Sequence, residues 1–486
     1  MTRYYINIGV STMYKLEREG LDSNIIMEIL SSYSKGEPSP ASGRMFTHSY
    51  ETGDLILRSL ARNVFDLFMD KTMLDFTIYP SILLLEREVV GIVASLMGGD
   101  ENTTGSFTYG GTESIILAVK AARDKFRSSN PGVIPEIIIP YTGHPAFIKA
   151  SRYLGLKPVL AKVNFDTMKV DIDNVSELIT KNTAIIVGSA PNYPYGSIDD
   201  IKGLSELALD YNIWLHVDAC LGGFTLPFLR DLGEEIPEFT FKLEGVSSIS
   251  VDLHKYGYAP KGSSIILYRD RSLRRYQIFT YAGWPGYPLV NTTILSTRSA
   301  GPLAASWAIL KYLGYNGYMN MTRKILKAKR DIIRGLNNLG LKIIGKPEAS
   351  IVAFTAEDTN ISVVSLELKK RGWSVQLQPG SKHLGFPPSI HLTISPIHEG
   401  LTTEFLEGLR DSIEASKQYR VRSDIEIIAK QIESRELSIY DILNIIGAEA
   451  VITLSDELLL LINELIRIIP PDIVDEIISD AVNILV

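Results

Sequence analysis

The run from 246 to 262 constrains this chain more than any other. Residues 246–251 read Val-Ser-Ser-Ile-Ser-Val, uncharged and either small or β-branched, the pattern of a buried strand. The strand delivers His254 and Lys255 into a loop that also carries Gly257, Pro260 and Gly262. A lysine at the end of a buried strand is costly unless it is neutral, paired or covalently modified. The chemistry that best fits such a lysine is a Schiff base with an aldehyde cofactor. A second lysine of the loop, Lys261, has the charge to meet an anion. Alone, the run is also what two surface-loop lysines look like.

Two upstream pieces change that balance. Residues 213–217, Ile-Trp-Leu-His-Val, form a second buried-strand pattern that ends in Asp218. Open α/β sheets bind ligands just past the carboxyl ends of their strands. A buried carboxylate there needs a cation, which a protonated pyridine nitrogen supplies; taken singly, Asp218 is equally a helix cap. Further upstream, Tyr109-Gly110-Gly111-Thr112-Glu113-Ser114 precedes an amphipathic helical run from Ile115. Glycines let the backbone approach a phosphate closely, and a helix N-terminus offers free N–H groups and a positive dipole end. The three pieces in this order are far more specific than any one of them.

On these residues the chain resembles the PLP (pyridoxal 5'-phosphate)-dependent group II decarboxylase family, most of all its sphingosine-1-phosphate lyase branch. The matching runs are Gly110–Ser114, His216–Phe224, Ser248–Leu267 and Arg298–Ala305, and the likeness extends from about residue 40 to about residue 415. The His-Lys-Tyr-Gly-Tyr-Ala-Pro-Lys-Gly run favours the lyase branch over ordinary amino-acid decarboxylases. The resemblance implies fold type I, an α/β large domain with a mainly parallel sheet plus a smaller α+β domain. It implies Lys255 as the Schiff-base lysine, Asp218 on the pyridine nitrogen and His144 stacked on the ring. Gly110, Gly111, Thr112, His254 and, from the other subunit of a homodimer with shared active sites, Thr297 would hold the cofactor phosphate. Tyr193 would lie near the Schiff base, as a proton-transfer group or as an aromatic wall. Lys261 and Arg298 would face the substrate, although Arg298 is equally suited to a structural ion pair.

Two departures concern substrate. A tyrosine of the characterised lyases falls at Phe46, which removes a hydroxyl. A histidine of a family loop falls at Asp75, whose charge repels a phosphate at close range. Both favour the runner-up, a PLP-dependent amino-acid decarboxylase; a non-catalytic PLP-binding protein is the third reading, opposed by the intact Asp218, Lys255 and His144 set.

Composition agrees with a large enzyme. The 486 residues are 45% hydrophobic and 22% charged, enough for an extensive core in more than one domain. The net charge of -7 gives no reason to expect nucleic acid. One cysteine, Cys220, excludes an internal disulfide and a cysteine metal cluster. No signal-peptide pattern opens the chain, and the uncharged run 276–297 is broken by Gly283, Pro285, Gly286 and Pro288. The expectation is a cytoplasmic enzyme without a transmembrane segment, acting on a small-molecule amine. The alternation of strands and helices over about 100–270 predicts a mainly parallel sheet covered by helices. The expected divisions are an N-terminal helical arm over 1–60, a PLP-binding large domain over 61–310, a small domain over 311–420 and a helical extension over 421–486.

Overall fold

A computed structural model describes residues 16, 18–419, 425–437 and 456–485. Parts of the expected N-terminal arm over 1–60 and of the helical extension over 421–486 lie outside the described residues. The chain divides into two compact units, one of residues 46–354 and 391–406, the other of 1–45, 355–390 and 407–486.

The larger unit is built on a seven-stranded sheet. Its strands are β1 (Thr104–Thr108), β2 (Glu136–Pro140), β3 (Lys157–Ala161), β4 (Thr183–Ser189), β5 (Trp214–Asp218), β6 (Val246–Asp252) and β7 (Ser264–Tyr268). Their spatial order is β1-β7-β6-β5-β4-β2-β3. The pairs from β3 across to β6 are parallel, whereas β7 runs antiparallel to both β6 and β1. Six of the seven strands therefore point the same way, and β7 alone is reversed. β4, β5 and β7 are buried along their whole length, which is why they read as continuous apolar runs rather than alternating ones.

Helices cover this sheet. α1 (Pro80–Leu96) opens with a proline, whose fixed φ and missing N–H suit the first turn. α2 (Gly111–Ser129) buries Leu117, Ala118, Ala121 and Ala122, and α3 (Ala146–Leu154) buries Phe147 and Ala150. These side chains join Ile137, Ile139, Ile185 and Trp214 in one core cluster. Each large aliphatic side chain buried here contributes about 2 kcal/mol of transfer free energy. The long helix α4 (Gly301–Asn338) is two segments joined at Gly314, whose φ of 56° and ψ of -174° lie outside the helical region. The sequence over 303–313 and 319–339 reads as two helices, and the break at Gly314 sits between them.

The smaller unit contains Ile361–Lys370 and, near its C-terminal end, Ile425–Glu433, Asp456–Ile468 and Pro471–Leu485. The last two are separated at Pro470, as the Pro470–Pro471 pair predicts. Ile425, Ala429 and Ile432 pack with Leu461, Leu465 and Ile469, so the helical extension has a core of its own. Among the described residues, no helix is long and apolar enough to cross a membrane.

Candidate active site

The carboxyl ends of the co-directional strands deliver the chemistry to one edge of the sheet. β1 leads into Tyr109 and Gly110, β2 into His144, β4 into Tyr193; β5 ends on Asp218 and β6 on Asp252. A cavity of about 290 Å³ is lined there by Gly110, Gly111, Thr112, His144, Asp218, Cys220, Asp252, His254 and Lys255, together with Tyr109, Glu113 and Ile115. Sequence reasoning picked seven of these residues as site candidates, and the fold brings them together from four separate segments.

Gly110 has a φ of 133°, a backbone geometry that favours glycine, and it caps α2 without a side chain in the way. Gly111 and Thr112, at the start of α2, line the cavity with first-turn N–H groups that a helix leaves free, whereas Glu113 N and Ser114 N donate to Gly110 O at 3.0 and 3.2 Å. Glu113 ties this turn down: its carboxylate accepts from Tyr109 N at 2.6 Å, Ile294 N at 2.8 Å and Leu295 N at 3.1 Å. The loop carrying Thr297 is thereby anchored to the start of α2, with Thr297 itself exposed.

Lys255 is largely buried, and its Nζ lies 3.0 Å from Asp252 Oδ2. Burial works against its charge, yet Asp252, with help from Asp218, keeps the ammonium well above the ordinary lysine range. Asp252 was not among the residues singled out in the sequence. The signal was available, since an acid three residues before a buried lysine is a ready partner. His254 accepts from Ser263 N through Nδ1 at 3.3 Å, and its Nε2 stands 3.6 Å from Asp252. Burial lowers its pKa despite Asp252.

Asp218 accepts from Cys220 N at 3.0 Å and from Ser250 Oγ at 3.4 Å. Ser250 in turn meets His216 Nε2 at 3.2 Å, so a buried polar chain stands behind the carboxylate. His144 accepts from Ala146 N through Nδ1 at 3.1 Å. Burial lowers its pKa, Asp218 opposing, which keeps the ring neutral near pH 7.

Tyr193 stacks on His391 at 4.5 Å between ring centroids. Burial raises its pKa and the Lys255 charge opposes that rise, so the phenol keeps its proton near neutrality. Tyr50, which the sequence reading passed over, is in electrostatic reach of Lys255 and Tyr193 and meets the Tyr256 ring edge-on at 5.0 Å. Its pKa is pushed up to about 12 by burial. Lys261 lies over the Tyr50 ring at 5.0 Å and donates to His48 O at 3.3 Å. Desolvation and then the Lys255 charge lower its pKa.

Three of the expected substrate residues are placed elsewhere. Phe46 has no exposed surface; it stacks on His398 at 3.9 Å and packs against Phe405 at 4.5 Å, as a core aromatic does. The hydroxyl it lacks is present four positions on, at Tyr50. Asp75 does not line the cavity: it closes a turn by accepting from Thr77 N at 2.9 Å and Thr77 Oγ1 at 2.6 Å, bonds that lower its pKa. Arg298 is buried and donates to Phe107 O at 2.8 Å, bracing β1.

Residues 41–357 match the pyridoxal-dependent decarboxylase conserved domain. The chain belongs to that family. It is 38% identical over 421 residues to a sphingosine-1-phosphate lyase of Oryza sativa, covering 84% of this chain and 76% of the relative. It is 35% identical to an L-aspartate/L-glutamate decarboxylase of Pyrococcus horikoshii, over 82% of this chain and 99% of that one. Among solved structures, a Burkholderia pseudomallei sphingosine-1-phosphate lyase superposes with a TM-score of 0.79 at 33% identity, covering 89% of this chain and 99% of that chain. The fold is therefore that of the fold type I PLP enzymes, and the protein is a PLP-dependent lyase. The cavity fits the cofactor's chemistry. It holds an amine for an aldehyde, a helix start for a phosphate, a carboxylate at a strand end and a neutral flat ring.

Proposed function

We propose that the protein is a carbon–carbon lyase that cleaves a phosphorylated long-chain base to a fatty aldehyde and phosphoethanolamine. The observation that carries this substrate class is Lys261. It is a second cation on the Lys255 loop, exposed and set against the Tyr50 ring, where a substrate phosphate has both charge and access. The two sequence departures that argued for another substrate lose their force, because Asp75 caps its own turn and Tyr50 supplies a phenol.

In this reading Lys255 carries the cofactor and yields its place to the substrate amine. Gly110, Gly111, Thr112 and His254 hold the cofactor phosphate, with Thr297 reaching across a homodimer to complete the partner's site. His144 offers its flat face to the ring, and Asp218 keeps a proton at the pyridine nitrogen. The cofactor supplies an electron sink for the pair left when the bond breaks. Cleavage of C2–C3 removes a proton from the C3 hydroxyl and adds one at C2. Lys255 is the basic group placed to accept the first, and the protonated phenols Tyr50 and Tyr193 are donors beside it. We place this activity in the cytoplasm.

A second reading, loss of a carboxylate from an amino acid, is favoured by the likeness to the Pyrococcus decarboxylase over nearly its whole length. Product analysis separates the two. PLP-loaded protein given sphingosine 1-phosphate is expected to release aldehyde and phosphoethanolamine. Carbon dioxide and an amine from an amino-acid panel, with no aldehyde, would overturn the lyase reading. Lys255→Ala is expected to abolish both turnover and the visible band of the lysine-linked cofactor.

A further inference from the structure

Asp252 is held more tightly than a loop ion pair requires. It is the last residue of β6 and is 2% exposed. Its Oδ2 is shared between Lys255 Nζ at 3.0 Å and His254 Nε2 at 3.6 Å, while its Oδ1 is buried without a hydrogen-bond partner. A Cβ at position 111 would lie 2.7 and 2.8 Å from its two oxygens, so the carboxylate occupies space that only a glycine leaves open. A desolvated carboxylate with one lone oxygen persists only beside a cation. Asp218, the other acid of the cavity, is engaged by Cys220 N and Ser250 Oγ instead.

We propose that Asp252 is a positioning residue, the fixed counter-ion that raises the proton affinity of the Lys255 nitrogen and aims it into the cavity, both as a free amine and when linked to the cofactor. The proposal rests on Lys255 as the point of attachment. The other titratable groups facing Lys255 are Asp218 and Cys220 after β5, His144 after β2, Tyr193 after β4, and Tyr50, Tyr256 and Lys261. Burial keeps the thiol and the phenols protonated, and the imidazole stays neutral near pH 7. Asp252 and Asp218 are therefore the negative charges at this nitrogen, and Lys261 opposes them.

The test is the pH titration of the visible band in cofactor-loaded Asp252→Asn. The midpoint is expected to fall by about one pH unit or more, tenfold in proton affinity. A band with an unshifted midpoint overturns the proposal. Retention of the band by Lys255→Ala would instead remove the attachment reading, so the two failures are distinct. If Asp252→Asn does not load, the unmodified full-length chain, freed of cofactor, decides by lysine acetylation followed by peptide mass analysis. Lys255 is expected to reach half-reactivity at a higher pH than the exposed Lys202. Half-reactivity at a lower pH overturns the proposal.

Discussion

Lys261 and Lys255 share one loop but live in different surroundings, and that difference divides their labour. Lys255 is largely buried and paired, whereas Lys261 makes one long hydrogen bond, of 3.3 Å, and a cation–π contact with Tyr50. Lys261→Ala is expected to leave stability within about 0.5 kcal/mol. It should raise KM for a phosphorylated amine by about 10- to 100-fold, the worth of a charge-assisted hydrogen bond. An unphosphorylated analogue should lose far less, and equal losses would assign Lys261 to the loop rather than to the substrate. Lys255, Asp218 and His144 could be found in the sequence because each follows a run of strand residues. Tyr50 could not, because nothing in Ser49-Tyr50-Glu51 distinguishes a phenol in electrostatic reach of a lysine more than 200 positions away. Phe46 misled for the opposite reason: position along the chain suggested a ligand contact, and packing against His398 and Phe405 made it core.

At the scale of elements, the start of α2 is the part most dependent on a single side chain. Glu113 satisfies three backbone N–H groups from two segments, one of them the loop that carries Thr297. Glu113→Ala would leave those donors partly buried and unpaired, a loss of about 2–4 kcal/mol. The expected outcome is a lower unfolding midpoint in denaturant together with faster proteolytic nicking between 290 and 298; an unchanged nicking rate would mean the loop is held by other bonds. Much of the sheet was legible. The run Glu-Ile-Ile-Ile-Pro over 136–140 reads as a short buried strand and is one, Glu136–Pro140, and the strands expected over 246–251 and 213–217 end one residue later than expected, on Asp252 and Asp218. α1 is harder: Glu86–Val90 reads as its start, yet the helix begins at Pro80, because its first turn carries no charged residue to mark a helix face. The pairing of β7 with both β6 and β1 could not be read from apolar runs, which specify burial and not direction.

For the whole molecule, buried ionisable groups set the response to acid. Burial pushes His216 and His391 down to about 4 from the ordinary 6.5, so the unfolded chain binds protons more readily than the folded one between those values. Their stabilising effect is complete above pH 6.5 and is lost as pH falls toward 4. Asp199 acts in the opposite sense. Burial raises it from 3.8 to about 6, so its contribution is present at low pH and is lost as pH rises through about 6. With two groups against one, the net is a loss on the order of 3 kcal/mol on acidification across this window. Denaturant unfolding at a series of pH values between 6.5 and 4 checks it, and a flat profile would contradict it. His391→Asn should shallow the slope, and because His391 carries Tyr193 on its face, it should also lower turnover.

The reversal of β7 has one more consequence. Because β6 and β7 pair antiparallel up to Asp252 and Ser264, residues 253–263 form a closed hairpin connection. It is cross-tied by His254 N to Ser263 O and Ala259 N to Leu253 O, both at 3.0 Å. The root of Lys255, the proposed catalytic lysine, is therefore moored on a segment without slack, and the travel of its amine is limited to the swing of four methylenes. In the proposed reaction, an amine displaced by a substrate stays tethered within a few ångströms of where it began, so each turnover would end with the nucleophile already at its post.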